Sequence, residues 1–381
     1  MRKVCVVVAS RANYGRIKSA LQAIKEHPKL ELQLIVGASA LLYRFGEVVE
    51  IIKRDGFRPD ATLHMVIEGD TPATMAKSTG LGVIEMTTVF ETLQPDVVIT
   101  VADRYETLAT AVSASYMNIP LAHTQGGEVT GSIDESVRHA ITKLAHIHFP
   151  ASQRAAENVI RMGEDPARVF MTGCPSMDLL SEIDLTLPAD FFHRSSGVGP
   201  SLDEAAPYLV VLQHPVTTEY GDAYRQIEET LKAVQRTGMQ VAWLWPNVDA
   251  GSDQISKRLR IFRERNPGAQ IHFFKNFSAE DYARLINNCA CLVGNSSSGI
   301  REGAFLGIPA VNIGNRQRGR EHGVNVVNVG YGSDAIFAAI QAQIAHGRYE
   351  RSPIFGTGRA GAQIADILAT IDLSIQKQLH Y

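Results

Sequence analysis

The sequence predicts an α/β protein made of two Rossmann-like domains that face each other across a central cleft. Short apolar runs alternate with segments of helical spacing along most of the 381 residues, a pattern typical of doubly wound parallel sheets. The alternation lapses once, at residues 187–207, and then resumes. Polar residues follow many of the apolar runs, and open parallel sheets bind ligands at those strand ends. We therefore expect the strand ends of both domains to line one cleft.

The first domain is predicted at residues 1–185. Continuous apolar runs are typical of buried parallel strands, and they predict strands at residues 3–9, 30–36, 97–101, 120–124 and 169–171. Apolar residues spaced by three and four positions predict helices, which we place at residues 17–24, 45–54, 73–93, 107–117 and 153–162.

The second domain is predicted at residues 186–357, with the lapse at residues 187–207 as the linker region. Strands are predicted at residues 208–212, 241–245, 271–274, 291–294, 310–313 and 324–329. Helices are predicted at residues 226–236, 253–265, 279–287, 303–306, 335–346 and 360–375. We expect the C-terminal segment, residues 358–381, to rejoin the first domain.

Composition excludes several classes of protein. The chain is 45% hydrophobic and 20% charged with a net charge of −3, so we expect a globular protein without general affinity for nucleic acid or anionic membranes. No apolar run reaches the length of a membrane span, and the N-terminus resembles a first strand rather than a signal peptide. The four cysteines form no CxxC pair, which favours a reducing cytoplasm.

The richest stretch of polar chemistry follows the predicted strand at residues 120–124. Gly126 and Gly127 allow a sharp turn, with Gln125 beside it and the proton-transfer and charged groups Glu128, Asp134, Arg138 and His139 beyond it. Ser132 with Glu135 predicts a capping box, which puts Asp134 in the first helical turn. The alternative interpretation is an ordinary capped helix with an acidic, solvated start.

The second domain offers an anion site. The Asn295–Gly299 loop, NSSSG, precedes a helix, where backbone N–H groups and hydroxyls favour phosphate. Arg316, Arg318 and Arg320 follow the next strand, and together with the serine loop they predict a diphosphate site. Taken separately, the loop could be a serine-rich cap and the arginines could be solvated surface. Glu302 could accept hydrogen bonds from ribose hydroxyls, or pair with Arg301.

Standard motifs of other enzymes are missing. The sequence has no GxGxxG after the first strand, no GxxxxGK[ST] and no GxSxG, which argues against a dinucleotide enzyme, a P-loop ATPase and an α/β-hydrolase. His146 and His148 lack an obvious third ligand, so we expect no metal. A nucleotide diphosphate in the second domain and carboxylates in the first predict nucleotide-sugar chemistry.

At these residues the sequence resembles the UDP-N-acetylglucosamine 2-epimerase family, whose fold is similar to that of the GT-B glycosyltransferases. It is most similar to the hydrolysing branch, which serves sialic and other nonulosonic acid synthesis. The motifs span most of the chain: SRANYG from Ser10, ADRYETL from Ala102, GGEVTGSIDESVRHAITKLAH from Gly126, QHPVTT from Gln213, PNVDAGS from Pro246, GNSSSGIRE from Gly294 and NIGNRQRGRE from Asn312.

The resemblance implies roles for residues of this sequence. The family's UDP site falls on Arg11, Arg104, His214, Asn247, Ser296, Ser297, Glu302 and Arg316. Its acid/base residues fall on Asp103 and Asp134, while a third carboxylate position is Gln125 here, which cannot transfer protons. Glu128 is the reserve acid/base candidate. Arg138 and His139, close to Asp134, are further candidates for substrate binding.

The activity implied by the resemblance is hydrolytic epimerisation of UDP-N-acetylglucosamine to UDP and N-acetylmannosamine, without metal or other cofactor. A second substrate that the resemblance leaves open is UDP-2,4-diacetamido-2,4,6-trideoxyglucose, on the way to legionaminic acid. A non-hydrolysing 2-epimerase and a GT-B glycosyltransferase are further functions that such a fold could serve. Family members form homodimers or homotetramers, so a homo-oligomer is expected.

Overall fold

The computed structural model describes residues 1–43, 46–69, 71–246 and 251–380. The first half of the chain forms a six-stranded parallel sheet in the order β3-β2-β1-β4-β5-β6. Its strands are β1 (Arg2–Val8), β2 (Leu30–Gly37), β3 (Ala61–Leu63), β4 (Val97–Val101), β5 (Leu121–Thr124) and β6 (Ile147–Phe149). Alternate residues of β1 enter two separate hydrophobic clusters, so both faces of the sheet are covered, as its continuous apolar run predicts.

The helices of the first half connect these strands or follow the last of them. They are α1 (Arg11–Gly15), α2 (Lys18–Glu26), α3 (Val48–Arg54), α4 (Pro72–Leu93), α5 (Tyr105–Tyr116), α6 (Asp134–Leu144), α7 (Gln153–Arg161) and α8 (Ser176–Glu182). The sheet order reverses at β1 and β4, so the ends of these two neighbouring strands open the crevice where such sheets bind ligands.

The second half forms a seven-stranded sheet in the order β13-β12-β11-β8-β9-β10-β7. Its strands are β7 (Gly197–Val198), β8 (Tyr208–Leu212), β9 (Gln240–Leu244), β10 (Ile271–Phe274), β11 (Cys291–Gly294), β12 (Ala310–Ile313) and β13 (Val326–Val329). All pairings are parallel except β7 with β10. Its helices are α9 (Phe191–Arg194), α10 (Ala223–Arg236), α11 (Ser252–Arg265), α12 (Ala279–Asn287), α13 (Arg301–Leu306) and α14 (Ser333–His346).

The last helix, α15 (Ala360–Thr370), packs against the first sheet's helix α2. Ile364, Ala365 and Leu368 belong to the same buried cluster as the β1 valines. The assignment of the C-terminal segment to the first domain and the domain boundaries at 185 and 357 stay predictions. The predicted fold class, two Rossmann-like domains that face a central cleft, is confirmed by the two sheets and by the cleft that residues of both line.

Several local features differ from the prediction. Residues 169–171 form no strand, because Val169 makes only a single bridge to His148, and β6 takes the expected position. Strand β3 was missed. Residues 187–207 are more than a linker, since β7 pairs with β10 and Phe192 packs edge-on against Tyr208. Within the described residues, no helix combines the length and apolarity needed to cross a membrane.

Candidate active site

The strand ends of both sheets line one cleft. Residues from the first sheet's loops and helices line one side, including Ser10, Arg11, Arg16, Asp103, Arg104 and Asp134. Residues from the second sheet line the other, including His214, Trp245, Lys275, Asn276, Ser296, Ser297, Ser298, Glu302, Arg316 and Arg320. The cleft therefore brings together most of the residues that the sequence assigns to a site.

Asp103 enters the cleft at the end of β4. The turn begins at Ala102, whose φ of 66° directs the chain away from the sheet. The Asp103 carboxylate accepts a hydrogen bond from Nη2 of the buried Arg138 on α6. Arg138 donates its other terminal nitrogen to the Glu128 backbone carbonyl, at 2.7 Å. Arg138 thus orients Asp103 from α6, and Arg138 itself does not line the cavity.

Asp134 is the first residue of α6 and faces the same cavity. Its Oδ2 lies 3.9 Å from Nη2 of Arg316, which comes from the opposite domain. The predicted capping box is wrong: Ile133 precedes the helix, and the Glu135 carboxylate accepts from the Thr130 backbone N–H at 2.6 Å. The predicted position of Asp134 in the first helical turn is nevertheless confirmed.

Glu128 lies outside the cavity lining, in a buried ion cluster. Its carboxylate pairs with Arg301, at 2.5 Å, and with Arg320. Burial alone would raise the pKa of Glu128, but Arg301 and Arg320 lower it to about 2. A carboxylate that stays ionised and has both oxygens occupied is poorly suited to exchange protons with a substrate.

Gln125 and His139 also lie apart from the cavity lining. Gln125 is fully buried with a φ of 62°, and its Nε2 donates to the Cys174 sulfur at 3.5 Å. The Nε2 atom of His139 lies 3.0 Å from Glu135 on the same helix. Neither residue therefore lines the cavity that Asp103 and Asp134 face.

The anion end of the cleft is built from the serine loop after β11 and the arginine loop after β12. Arg316 Nη1 and Gln317 Nε2 donate to the Asn295 carbonyl at 3.2 and 2.9 Å, which ties the two loops together. Among the described residues, six cationic side chains and three carboxylates line the cavity. The resulting positive excess favours an anion such as a diphosphate.

Arg16 is a site residue that the sequence reasoning missed. It belongs to the first domain, yet its Nη2 donates to Oγ of Ser297 in the serine loop at 2.5 Å. The available signal was its position five residues after Arg11, in the segment that connects β1 to α2. Lys275 and Asn276 were also missed; Arg11 Nη1 donates to the Asn276 side-chain oxygen at 2.8 Å.

His214 sits at the end of β8 among the arginines. Its backbone N–H donates to Oδ1 of Asn295 at 2.7 Å, and the Asn295 amide donates back to its carbonyl at 2.8 Å. Burial, and then Arg316 and Arg11, lower the pKa of His214 well below its usual value. The ring is therefore neutral at physiological pH and can act as a hydrogen-bond partner. Asn247, expected beside it, lies outside the described residues.

His146 and His148, the two histidines considered as metal ligands, each contact a protein group instead. His148 lies 3.0 Å from Glu164 through Nε2, and His146 lies 2.9 Å from the Ile375 carbonyl through Nε2. Among residues 1–43, 46–69, 71–246 and 251–380, no group of three or more His, Cys, Asp or Glu side chains is arranged to hold a metal.

Comparison with known proteins gives the family. The sequence profile of the family described as UDP-N-acetylglucosamine 2-epimerase matches residues 22–369. The chain is 31% identical to a Legionella pneumophila protein named UDP-N,N'-diacetylbacillosamine 2-epimerase (hydrolyzing), across 99% of this chain and 98% of that one. It is 28% identical to a UDP-N-acetylglucosamine 2-epimerase of Neisseria meningitidis serogroup B, across 94% and 92% of the two chains.

A crystal structure of UDP-GlcNAc 2-epimerase from Neisseria meningitidis bound to UDP-GlcNAc superposes with a TM-score of 0.79. It is 15% identical and covers 96% of this chain and 99% of that one, so it supports the fold. The profile match over most of the chain and the 31% identity to a full-length relative confirm the resemblance. The chain belongs to the UDP-N-acetylglucosamine 2-epimerase family.

Proposed function

We propose that the protein is a hydrolysing UDP-sugar 2-epimerase that converts UDP-N-acetylglucosamine and water into UDP and N-acetylmannosamine. The observation that carries the proposal is that Asp103 and Asp134 line the same cavity as the serine and arginine loops. A diphosphate bound at those loops would bring the attached sugar toward the two carboxylates. The name of the Legionella relative, which specifies a hydrolysing enzyme, supports the water-consuming reaction.

In the first half of the reaction, one aspartate removes the proton from C2 of the sugar while the C1–O bond to UDP breaks. The electron pair of the C2–H bond forms the C1–C2 double bond of a glycal, and the electron pair of the C1–O bond leaves with UDP. The C2 proton is not acidic by itself, so stabilisation of the leaving diphosphate must lower the barrier. Arg11, Arg104, Arg316 and the serine loop supply that electrostatic stabilisation.

In the second half, water adds to C1 and a proton returns to C2 on the opposite face, which yields the C2 epimer. Two proton-transfer groups suit these steps, because removal and return occur on opposite faces of the ring. We assign them to Asp103 and Asp134 as a pair. Arg138 orients Asp103, and Arg316 lies against Asp134.

A second candidate substrate is UDP-N,N'-diacetylbacillosamine, the 2,4-diacetamido-2,4,6-trideoxyglucose nucleotide. It is favoured by the Legionella relative, which is named for that sugar and matches this chain over almost its full length. The same elimination and hydration apply, since the two sugars differ at C4 and C6 and not at C1 or C2. Both products would serve synthesis of nonulosonic acids.

The test is an NMR time course of the purified protein with each UDP-sugar in deuterated water. The proposal predicts free UDP together with a free 2-epimer that carries deuterium at C2. A higher kcat/KM for one sugar identifies the substrate. A UDP-linked epimer without free UDP would instead indicate a non-hydrolysing epimerase, and no reaction with either sugar would refute the proposal.

A further inference from the structure

A chain of buried contacts runs from the anion end of the cleft in the second domain to Asp103 in the first. We propose that Glu128 is a positioning residue that connects the closed anion site to the orientation of Asp103. The inference deepens the proposed function, and it rests on that function for the role of Asp103.

The first contacts cross the cleft. Arg301 begins α13 directly after the serine loop, and its backbone N–H donates to the Ser297 carbonyl at 2.9 Å. Its Nη2 donates to Glu128 Oε1 at 2.5 Å. Arg320 lines the cavity, donates to Gln317 at 2.7 Å and pairs with the other Glu128 oxygen. Both arginines therefore join Glu128 to the two loops that form the anion site.

The next contacts continue within the first domain. The Glu128 backbone carbonyl accepts from Arg138 Nη1, and Arg138 Nη2 donates to Asp103. Glu128 is 5% exposed, and Arg138 and Arg301 are each 1% exposed. Because these groups are almost inaccessible to water, the loss of one charge would leave the opposite charges of its partners without compensation and would displace those side chains. A shift of the Glu128 backbone would move Arg138 and hence Asp103.

The preceding turn fixes one side of the Glu128 backbone, so the other side depends on the contacts of the Glu128 side chain with the second domain. Gly127 has a φ of 78°, and a Cβ at that position would lie 2.1 Å from the Ala155 carbonyl oxygen. The Gly127 carbonyl also accepts from Asn158 Nδ2 at 2.9 Å. With the preceding turn packed on α7 and its side chain paired with the second domain, Glu128 holds its carbonyl within reach of Arg138 without lining the cavity.

The test is a double-mutant cycle of Glu128→Gln, Arg138→Met and both changes together, with kcat and KM measured by UDP release. Misplacement of Asp103 should lower kcat by about 10- to 100-fold in Glu128→Gln. Since Glu128 acts through Arg138, the double variant should match Arg138→Met within about 2-fold. Multiplied effects of the two changes would overturn the proposal.

The pH profile and a control separate positioning from other roles. Both limbs of the kcat profile should persist in Glu128→Gln, whereas loss of one limb would make Glu128 an acid or base and would overturn the proposal.

Glu280→Gln is the matched control, because it breaks the ion pair of Lys18 with Glu280, which joins α2 to α12. We expect its kcat to stay within about 2-fold of wild type, since Lys18 keeps its second ion pair, with Asp55 at 2.9 Å, and neither Lys18 nor Glu280 lines the cavity. An equal loss in both variants would indicate general weakening of closure and would overturn the specific role of Glu128.

A crystal structure of Glu128→Gln with UDP gives a readout that does not depend on turnover. The proposal predicts that Arg138 no longer contacts Asp103, and an intact contact would overturn it. If wild type releases UDP from neither sugar, the proposed function fails, while this structural comparison still decides the positioning role. Should Glu128→Gln not fold, Glu128→Asp, which keeps the charge and shortens the side chain, takes its place in both experiments.

Discussion

Arg316 of the second domain and Asp134 of the first lie opposite each other across the cleft, with Nη2 3.9 Å from Oδ2. The pair places a cation from the anion site beside a proposed proton-transfer group. The leaving diphosphate would therefore contact both domains and the reacting sugar carbons would face the aspartates of the first, so the proposed reaction requires both domains to enclose the substrate.

Replacement of Arg316 should weaken nucleotide binding. Arg316→Ala removes a cation from the anion site, and we expect the Kd for UDP to rise by roughly 10- to 100-fold, the effect of one charge-assisted hydrogen bond. Isothermal titration calorimetry measures the change. Arg318→Ala is the matched control, because Arg318 is exposed on the same loop and does not line the cavity. Equal affinities of the two variants would refute the placement of UDP against Arg316.

Neutralising Asp103 or Asp134 should abolish turnover and leave the affinity for UDP almost unchanged. Asp103→Asn and Asp134→Asn should each lower kcat by about 1000-fold or more if the residue transfers a proton. The Kd for UDP should change by less than about 3-fold, because carboxylates do not attract a diphosphate. Asp366→Asn, an exposed change on α15, serves as the control. Near-normal turnover in either cleft variant would exclude that residue from the reaction.

Arg16 should contribute to nucleotide affinity from the side of the first domain. Arg16→Ala removes both a cation from the cavity and the hydrogen bond to Ser297. We expect about a 10-fold loss of UDP affinity, and a smaller loss for Ser297→Ala, which keeps the cation. Calorimetry of the two variants beside the exposed Arg54→Ala control tests the order. The reverse order would show that the hydroxyl matters more than the charge.

The buried ion cluster around Glu164 should make stability depend on pH in the acid range. Glu164 accepts from Lys143 at 2.5 Å, Lys377 at 2.6 Å and His148 at 3.0 Å. Burial raises the pKa of Glu164, but His148, Lys143 and Lys377 lower it to about 2. The native state therefore favours the ionised form, and this stabilisation is complete above the unfolded pKa of about 4.3.

Glu164→Gln should lower the free energy of unfolding by roughly 2 kcal/mol at pH 7. The difference from wild type should shrink as the pH falls below about 4.3, and most of it should be lost as the pH approaches the native pKa of about 2. Thermal unfolding at pH 7, 4 and 3 measures it, with the exposed Glu157→Gln on α7 as the control. A difference that does not change with pH would mean that packing, and not charge, accounts for the loss.

The sequence predicts most of the second sheet because its strands are continuous apolar runs bounded by polar residues. β8, β10, β11 and β12 have the predicted bounds. β3 was missed because three residues carry too little pattern to separate from a loop. β6 was missed because His146 and His148 interrupt its apolar run.

The sequence predicts which strand ends carry the residues of the site. It does not predict which side chains those residues contact. Asp103, Asp134 and the serine loop follow elements that local pattern locates, so their meeting in a cleft follows from topology. The partners of Glu128 are 173 and 192 residues away along the chain. No local spacing encodes such contacts, and as a result a buried ion cluster could be mistaken for a spare proton-transfer group.

The packing of α15 against α2 has a consequence for biosynthesis. The cluster beneath the first sheet includes Ile364 and Leu368 as well as Val4 and Val6, so this hydrophobic layer cannot be completed while the ribosome is still translating the second sheet. The apolar surface of the N-terminal half that α15 covers stays exposed until residue 368 has left the exit tunnel of the ribosome. Newly made chains are therefore expected to need chaperone protection longest at α2, although that helix is among the first segments synthesised.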